Sequence, residues 1–238
     1  MNISAQPVGV TEISLWRDLY RNEMNCQIIH DNMHARGGWT QPYRIEIEGV
    51  PAGYGSILVG GPWKGTRTAF EYYLESGYRS RAFDCFEKFL AASQATAITA
   101  QTNDALLTVM LHLWGSNVAS ESIVFRDSLV TTHRREGAVL RQRSEPEQDW
   151  VIEIDGAVVA NGGILYHYNP PYGDIYMEVA EGHRRRGIGC YLVQELKRIC
   201  YEAGSIPCAR CNPGNVASRN TLQKAGFVPC AHLLNATL

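Results

Sequence analysis

Three consecutive arginines, Arg184, Arg185 and Arg186, stand directly before Gly187 and Gly189 in the segment VAEGHRRRGIGCYLV (179–193). Ile188, Leu192, Leu196 and Cys200 follow at helical spacing, so the basic loop opens a helix. A helix N-terminus offers unpaired N–H groups and a partial positive charge. Glycines there let a phosphate reach the backbone without meeting a Cβ, and arginines add charge-assisted donors. The combination suits a diphosphate. It is neither a G-x-G-x-x-G after the first strand of a parallel unit nor a Gly-Lys-Ser/Thr phosphate loop. By itself it also fits a glycine-eased turn with solvated arginines.

Other residues could carry chemistry nearby. Glu178 and His183 flank the loop, and either could move a proton. Each also has a plain structural reading, as an arginine partner and a solvated loop residue. Cys208 and Cys211 resemble a metal or redox pair. On a strand their separation sends the side chains to opposite faces, and no second pair completes a ligand set, so no metal is expected. Tyr166, His167, Tyr168 and Tyr172, with Pro170 and Pro171, form an aromatic stretch suited to lining an acceptor pocket or to packing.

The elements that hold these residues come from a repeat. IEGVPAGYGSI (47–57) aligns with IDGAVVANGGI (154–164) at an offset of 107, sharing Ile47/Ile154, Gly49/Gly156, Gly55/Gly162 and Ile57/Ile164. FEYYLESGYRSRAFDC (70–85) aligns with IYMEVAEGHRRRGIGC (175–190) at 105, pairing Gly77/Gly182, Arg79/Arg184, Arg81/Arg186 and Cys85/Cys190. TAQTN (99–103) and CARCN (208–212) follow at 109. In the second copy, strands are expected at 149–155, 158–166, 174–180 and 206–211, and helices at 188–203 and about 214–225. Gly226 closes the last helix as its C′ residue. The first copy repeats the series after helical segments across 13–36. The series implies an α+β fold, a mixed, mostly antiparallel sheet flanked by helices, in two tandem units, 1–132 and 133–238. Only SEPEQ (144–148) separates a strand at 138–143 from that at 149, so the second unit has no room for leading helices and should lean on the first.

Length and composition agree. At ~150 residues per domain, 238 residues allow one large or two small domains. Hydrophobic content of 45% and charged content of 19% exclude wholesale disorder. A net charge of −2 supplies no global field for nucleic acid or anionic membrane. No apolar run approaches membrane-spanning length, and MNISAQPVGVTEISLW lacks a signal-peptide pattern. Seven scattered cysteines, an odd number, point to reduced thiols and a cytoplasmic location.

The loop, read as Arg184-Arg185-Arg186-Gly187-Ile188-Gly189, resembles the Arg/Gln-x-x-Gly-x-Gly/Ala acyl-CoA motif of the GNAT superfamily of N-acetyltransferases. Asn215, Ser218, Lys224, Gly226 and Phe227 match the second motif of that family, Asn-x-x-Ser/Ala with a helix ending Lys-x-Gly-Phe. The resemblance covers 149–233 well and 40–130 as a degenerate echo. It implies acetyl-CoA as cosubstrate, with Arg184, Arg185, Arg186 and the loop amides of Gly187, Ile188, Gly189 and Cys190 on the pyrophosphate. The backbone around Met177–Val179 would meet the pantetheine arm and thioester carbonyl. Asn215 and Ser218 would lie near its far end, and Asn215 would also cap its helix.

In the repeat alignment Gly187 corresponds to Ala82 and Gly189 to Asp84. A carboxylate there repels a diphosphate, so the first unit is expected to lack the acyl-CoA site. Acetylating an amine requires its neutral form, and deprotonating a lysine-like amine at pH 7 costs about 4–5 kcal/mol. Glu178 is the first candidate base. Family members often carry the carboxylate a few residues earlier, where this chain has Gly173 beside Asp174. The tyrosine that many relatives use as the acid is Leu222 here, leaving Ser218, water, Tyr176 or another tyrosine. The resemblance therefore implies direct acetyl transfer to a primary amine, most simply on a small molecule. With its own leading helices lost, the second unit is expected to borrow a pocket wall from the first, placing the acceptor in an inter-repeat cleft. A peptide or protein amine, or an idle CoA-binding sensor, are the alternatives. The sequence leaves the oligomeric state open.

Overall fold

Two tight turns, Glu48-Gly49 and Asp155-Gly156, have positive φ at both central residues, 52° and 78° in each case. That is the backbone a two-residue hairpin demands, and it recurs at the repeat offset. The structure, a computed structural model, describes residues 2–144 and 149–238. Most of the SEPEQ segment therefore lies outside the described residues.

In chain order the elements are β1 (Ile3–Pro7), α1 (Ser14–Met24), β2 (Thr40–Ile47), β3 (Val50–Leu58), β4 (Thr68–Leu74), α2 (Ala82–Ser93), β5 (Ala97–Gln101), α3 (Ala105–Trp114) and β6 (Ser116–Asp127). They continue with β7 (Ala138–Gln142), β8 (Trp150–Ile154), β9 (Ala157–Leu165), β10 (Tyr172–Val179), α4 (Ile188–Glu202), β11 (Ile206–Cys211), α5 (Val216–Lys224) and β12 (Phe227–Thr237). The expected second-copy series is present, with boundaries shifted by a residue or two. Gly226 has φ +89°, as its position after α5 requires. Among the described residues the strand before β8 is β7, paired antiparallel with it, whereas α1 stands between β1 and β2.

The chain forms two compact units, 1–121 with 232–238, and 122–231. The division expected at 132/133 lies between β6 and β7, whereas the chain enters the second unit inside β6 and leaves it inside β12. In the first unit the strands run β1-β2-β3-β4-β5 and end on the C-terminal half of β12. That half pairs antiparallel with β5, from Leu233↔Gln101 to Thr237↔Ala97. In the second unit the order is β7-β8-β9-β10-β11, ending on β6, with Cys208↔Arg126 through Cys211↔Ile123. Each unit is thus completed by a strand that follows the other unit's last helix. An uncovered β5 or β11 edge would leave a row of unpaired backbone groups.

One step in each sheet is parallel. β10 and β11 are in register only from Tyr172↔Ile206 to Ile175↔Ala209, and β4 and β5 only at Thr68↔Ala97 and Ala69↔Ile98. Beyond Ile175 the β10 edge facing β11 carries no ladder. In the second unit α4 buries Ile188, Leu192, Val193 and Leu196 against Ile152, Ala160, Ile175 and Ala209. Each such large side chain contributes about 1.5–3 kcal/mol. That packing fixes the helix whose first turn faces the unladdered part of β10.

Candidate functional site

A cleft of about 880 Å³ opens in the second unit between the end of β10, the first turn of α4 and the outer face of α5. Met177, Glu178, Val179, Arg184, Arg185, Arg186, Gly187, Ile188, Gly189, Cys190, Asn215 and Ser218 all line it. The loop, the β10 residues 177–179 and the start of α5 are therefore in one place. The volume lies within the usual range of small-molecule sites.

The loop is shaped by its backbone. Arg185 has φ +59° and Gly187 φ +80°, so two left-handed residues bracket Arg186. A left-handed arginine costs about 1–2 kcal/mol, and such alternation turns successive N–H groups into a concave anion nest. Gly187 is also the N-cap of α4 and supplies no side-chain acceptor to its amides. The two glycines serve different ends. A Cβ on Gly187 would meet nothing within 4 Å, so it is the positive φ that calls for glycine. A Cβ on Gly189 would sit 3.2 Å from Thr221 Cγ2 and 3.4 Å from Val179 Cγ2, so there the need is close packing against β10 and α5. Arg184 Nε donates to the Val179 carbonyl at 3.0 Å, tying the loop to the strand end.

Asn215 caps α5, its Oδ1 accepting from the Ser218 amide at 3.0 Å. The Cys190 thiol lies 3.8 Å from the Thr221 carbonyl and joins α4 to α5. Burial pushes that thiol's pKa up, so it stays protonated at neutral pH. Along β10 the side chains alternate: Ile175, Met177 and Val179 belong to the α4 core, leaving Asp174, Tyr176 and Glu178 on the opposite face. Glu178 is exposed and reaches the cleft. Tyr176 lies over Gly163, where an added Cβ would sit 2.7 Å from the phenol oxygen. Burial first, and Asp149 second, raise the Tyr176 pKa against the pull of Arg143.

Several candidates fall elsewhere. Asp174 is buried and its Oδ2 pairs with Arg210 Nε at 3.2 Å, which removes it from the cleft. The Arg210 guanidinium stacks on Tyr168 at 4.9 Å, and His167 packs on Tyr168 with ring centroids 4.3 Å apart, so this aromatic stretch includes a packed cluster. Leu222 is buried in the core and does not line the cleft. Cys211 joins the α4 core while Cys208 stands in register with Asp174 on the other face, the separation expected on a strand. No helix among the described residues is long and apolar enough to cross a membrane.

The sequence reading missed the segment 128–137. It brings His133, Arg134 and Arg135 to the cleft, where Ala217, Asn220, Thr221 and Lys224 also contribute. Arginines at 134, 135, 184, 185 and 186 and Lys224 thus surround a cleft whose lining has Glu178 as its carboxylate. A chain of net charge −2 hides this concentration, because composition averages over the whole surface. The basic pair Arg134-Arg135 was the available signal, but it lies some fifty positions from the loop.

A sequence profile of the acetyltransferase (GNAT) family matches residues 118–227. No curated protein sequence matches significantly. Among solved structures, a GNAT-family acetyltransferase from Colwellia psychrerythraea is similar over 99% of this chain and 99% of its own, at 13% identity and a TM-score of 0.72. A GCN5-related N-acetyltransferase from Sphaerobacter thermophilus is similar over 99% and 95%, at 14% identity and a TM-score of 0.65. A tandem GNAT protein from the clavulanic acid biosynthesis pathway is similar over 100% and 98%, at 13% identity and a TM-score of 0.61. Residues 118–227 therefore match the acetyltransferase (GNAT) family, and the whole chain has the mixed, mostly antiparallel sheet and flanking helices of the GNAT fold in two units.

Proposed function

We propose that the protein is an acyl-CoA-dependent N-acetyltransferase of the cytoplasm that moves the acetyl group of acetyl-CoA directly to a primary amine on a small molecule. On this reading the first unit is a degenerate copy without an acyl-CoA loop. One observation carries the proposal: the anion nest, the unladdered end of β10 and the capped start of α5 line a single cationic cleft.

The chemistry follows from these positions. The α4 amides with Arg184, Arg185 and Arg186 hold the diphosphate. The backbone of Met177–Val179 pairs with the pantetheine amides and orients the thioester, an activated acyl carbon. Glu178, on the free face of β10, takes the proton of the attacking ammonium directly or through water, a role worth typically 10²–10⁴-fold. Ser218, or Tyr176 with its raised pKa, stays protonated at neutral pH and returns a proton to the leaving sulfur. The protonated, buried Cys190 is a poor nucleophile, which favours direct transfer over a covalent enzyme intermediate.

The test is calorimetric titration with acetyl-CoA, then a panel of amines followed by thiol release. One site per chain and turnover on small amines support the proposal. Turnover on peptide amines alone would move the acceptor to that class. The burial of Leu222, where relatives carry an acidic tyrosine, favours one rival, a non-catalytic CoA sensor. Tight binding without turnover on any amine would establish that rival.

A further inference from the structure

The segment 128–137 has no regular secondary structure over 128–135, yet it is fastened to the second unit at several points. The amides of Ser128 and Leu129 both donate to the Gly226 carbonyl, at 3.1 and 3.0 Å. The His133 ring Nε2 lies 2.8 Å from the Lys224 carbonyl, and Gln194 Nε2 donates to the His133 carbonyl at 3.1 Å. Beneath them Lys197, 2% exposed, sends Nζ to the carbonyls of Leu129 at 2.6 Å and Ala225 at 2.8 Å, and to Asp127 Oδ1 at 2.6 Å. Two of its protons go to those carbonyls, and the Asp127 carboxylate pairs with its charge, as burial of a charge requires.

This strap therefore has a defined course, and it carries Arg134 and Arg135, both exposed, to the cleft that holds the α4 loop. The three loop arginines and the nest already match the two charges of a diphosphate. Two further arginines, held on a separate anchored segment, exceed what that group needs. Acyl-CoA carries a second anion, a phosphate monoester on its ribose, with a charge of about −1.5 to −2 at pH 7. Guanidinium forks match the non-bridging oxygens of such a group.

We propose that Arg134 and Arg135 bind the 3′-phosphate of the acyl-CoA, so that the strap selects the 3′-phosphorylated carrier over its dephosphorylated form. The inference rests on the acyl-CoA reading of the cleft. Calorimetry with acetyl-CoA and 3′-dephospho-acetyl-CoA, on the wild-type chain and on the Arg134→Gln/Arg135→Gln double variant, tests it. The wild type should prefer acetyl-CoA by on the order of tenfold or more. The double variant should lose that preference while binding the dephosphorylated ligand within about twofold of wild type, its fold checked by circular dichroism. An undiminished preference in the variant, or equal weakening of both ligands, would overturn the assignment. Wild-type protein that binds both ligands equally would overturn it as well, while leaving the acyl-CoA reading standing. Failure of wild type to bind either ligand would overturn both readings together.

Discussion

Helices α2 and α4 each follow the third strand of a strand-strand-strand-helix series, yet their first turns are opposite in charge and in backbone. At α4 the N-cap is Gly187 at φ +80°, preceded by three arginines. At α2 the N-cap is Arg81 at φ −110°, and its Nε donates to Asp84 Oδ2, in the first turn, at 2.9 Å. A carboxylate in a first turn stabilises its own helix by about 0.3–1 kcal/mol. It does so by occupying the electrostatic position an anionic ligand would take. One helix start carries a carboxylate of the chain's own in its first turn, and the other carries none.

The sheet faces differ in the same sense. In the first unit Glu71 on β4 is fully buried, with His34 Nε2 2.9 Å and the Tyr54 hydroxyl 3.0 Å from its Oε2. Arg17 on α1 lies 3.6 Å from the same oxygen and donates to Asp31 at 2.7 Å. Burial alone would raise the Glu71 pKa, but His34 and Arg17 hold it down at about 2. Nearby Asp104 caps α3, and burial pushes its pKa up to about 7, against the hydrogen bonds from Leu107 and Tyr20. The repeat partner of Glu71 is Tyr176, which is 43% exposed. The first unit uses its polar strand residues to hold down α1 and the segment after it. In the second, Tyr176 and Glu178 stay exposed while Asp174 is buried against Arg210.

A carboxylate placed at the start of α4 gives the strongest test. Gly187→Asp adds a carboxylate where the φ is already unfavourable for it, and like charges ~4 Å apart repel by about 4 kcal/mol at an effective dielectric near 20. Acetyl-CoA affinity should fall by at least a hundredfold in calorimetry, and unchanged affinity would remove the contrast between the helix starts.

Asp104→Asn probes the first unit's buried network. The folded value of about 7 lies above the ordinary aspartate value, so folding takes up a proton between them. That contribution is complete below about pH 4 and is lost as pH rises through 7, at up to about 1.4 kcal/mol per pH unit. Urea midpoints followed by tryptophan fluorescence should fall between pH 5 and 8 in the wild type and stay flatter in the variant, since asparagine caps equally well. Trp16, Trp39, Trp63 and Trp114 place most of that signal in the first unit. Glu71 acts oppositely, stabilising above its ordinary value and less as pH falls towards 2.

Glu178→Gln should lower kcat by about a hundredfold with little change in acetyl-CoA affinity. Loss of affinity with kcat preserved would make Glu178 a structural partner of the loop. The smallest effect is expected from Asp84→Ala, which should cost the first unit about 0.3–1 kcal/mol. Binding stoichiometry should stay at one per chain, because Ala82 and the negative φ of Arg81 still deny that helix a nest. A second site in this variant would show that Asp84 alone silences the first unit.

Much of the site was legible because its signals are local. The turns at Gly49 and Gly156, the loop from Arg184 to Cys190 and the cap at Asn215 are each set by neighbours a few positions apart. β6 and β12 were not anticipated as elements. The first half of β6, SNVASE, is mostly polar and exposed, and nothing local states that its second half will pair with β11. The same holds for Leu222, whose inward direction depends on what α5 packs against.

The sequence by itself determined that this chain is a repeat, that its second copy sets three arginines and two glycines at a helix start, and that its first copy has Ala82 and Asp84 in place of those glycines. Those properties follow from backbone preferences and charges within short segments. Only the tertiary structure decided that each unit takes its final strand from beyond the other's last helix. Only it showed that β10 leaves β11 after Ile175 to open a cleft, and that a strap anchored on Lys197 adds Arg134 and Arg135 there. Each of those depends on hydrogen bonds and burial between residues tens of positions apart, which are satisfied only when the whole chain has folded.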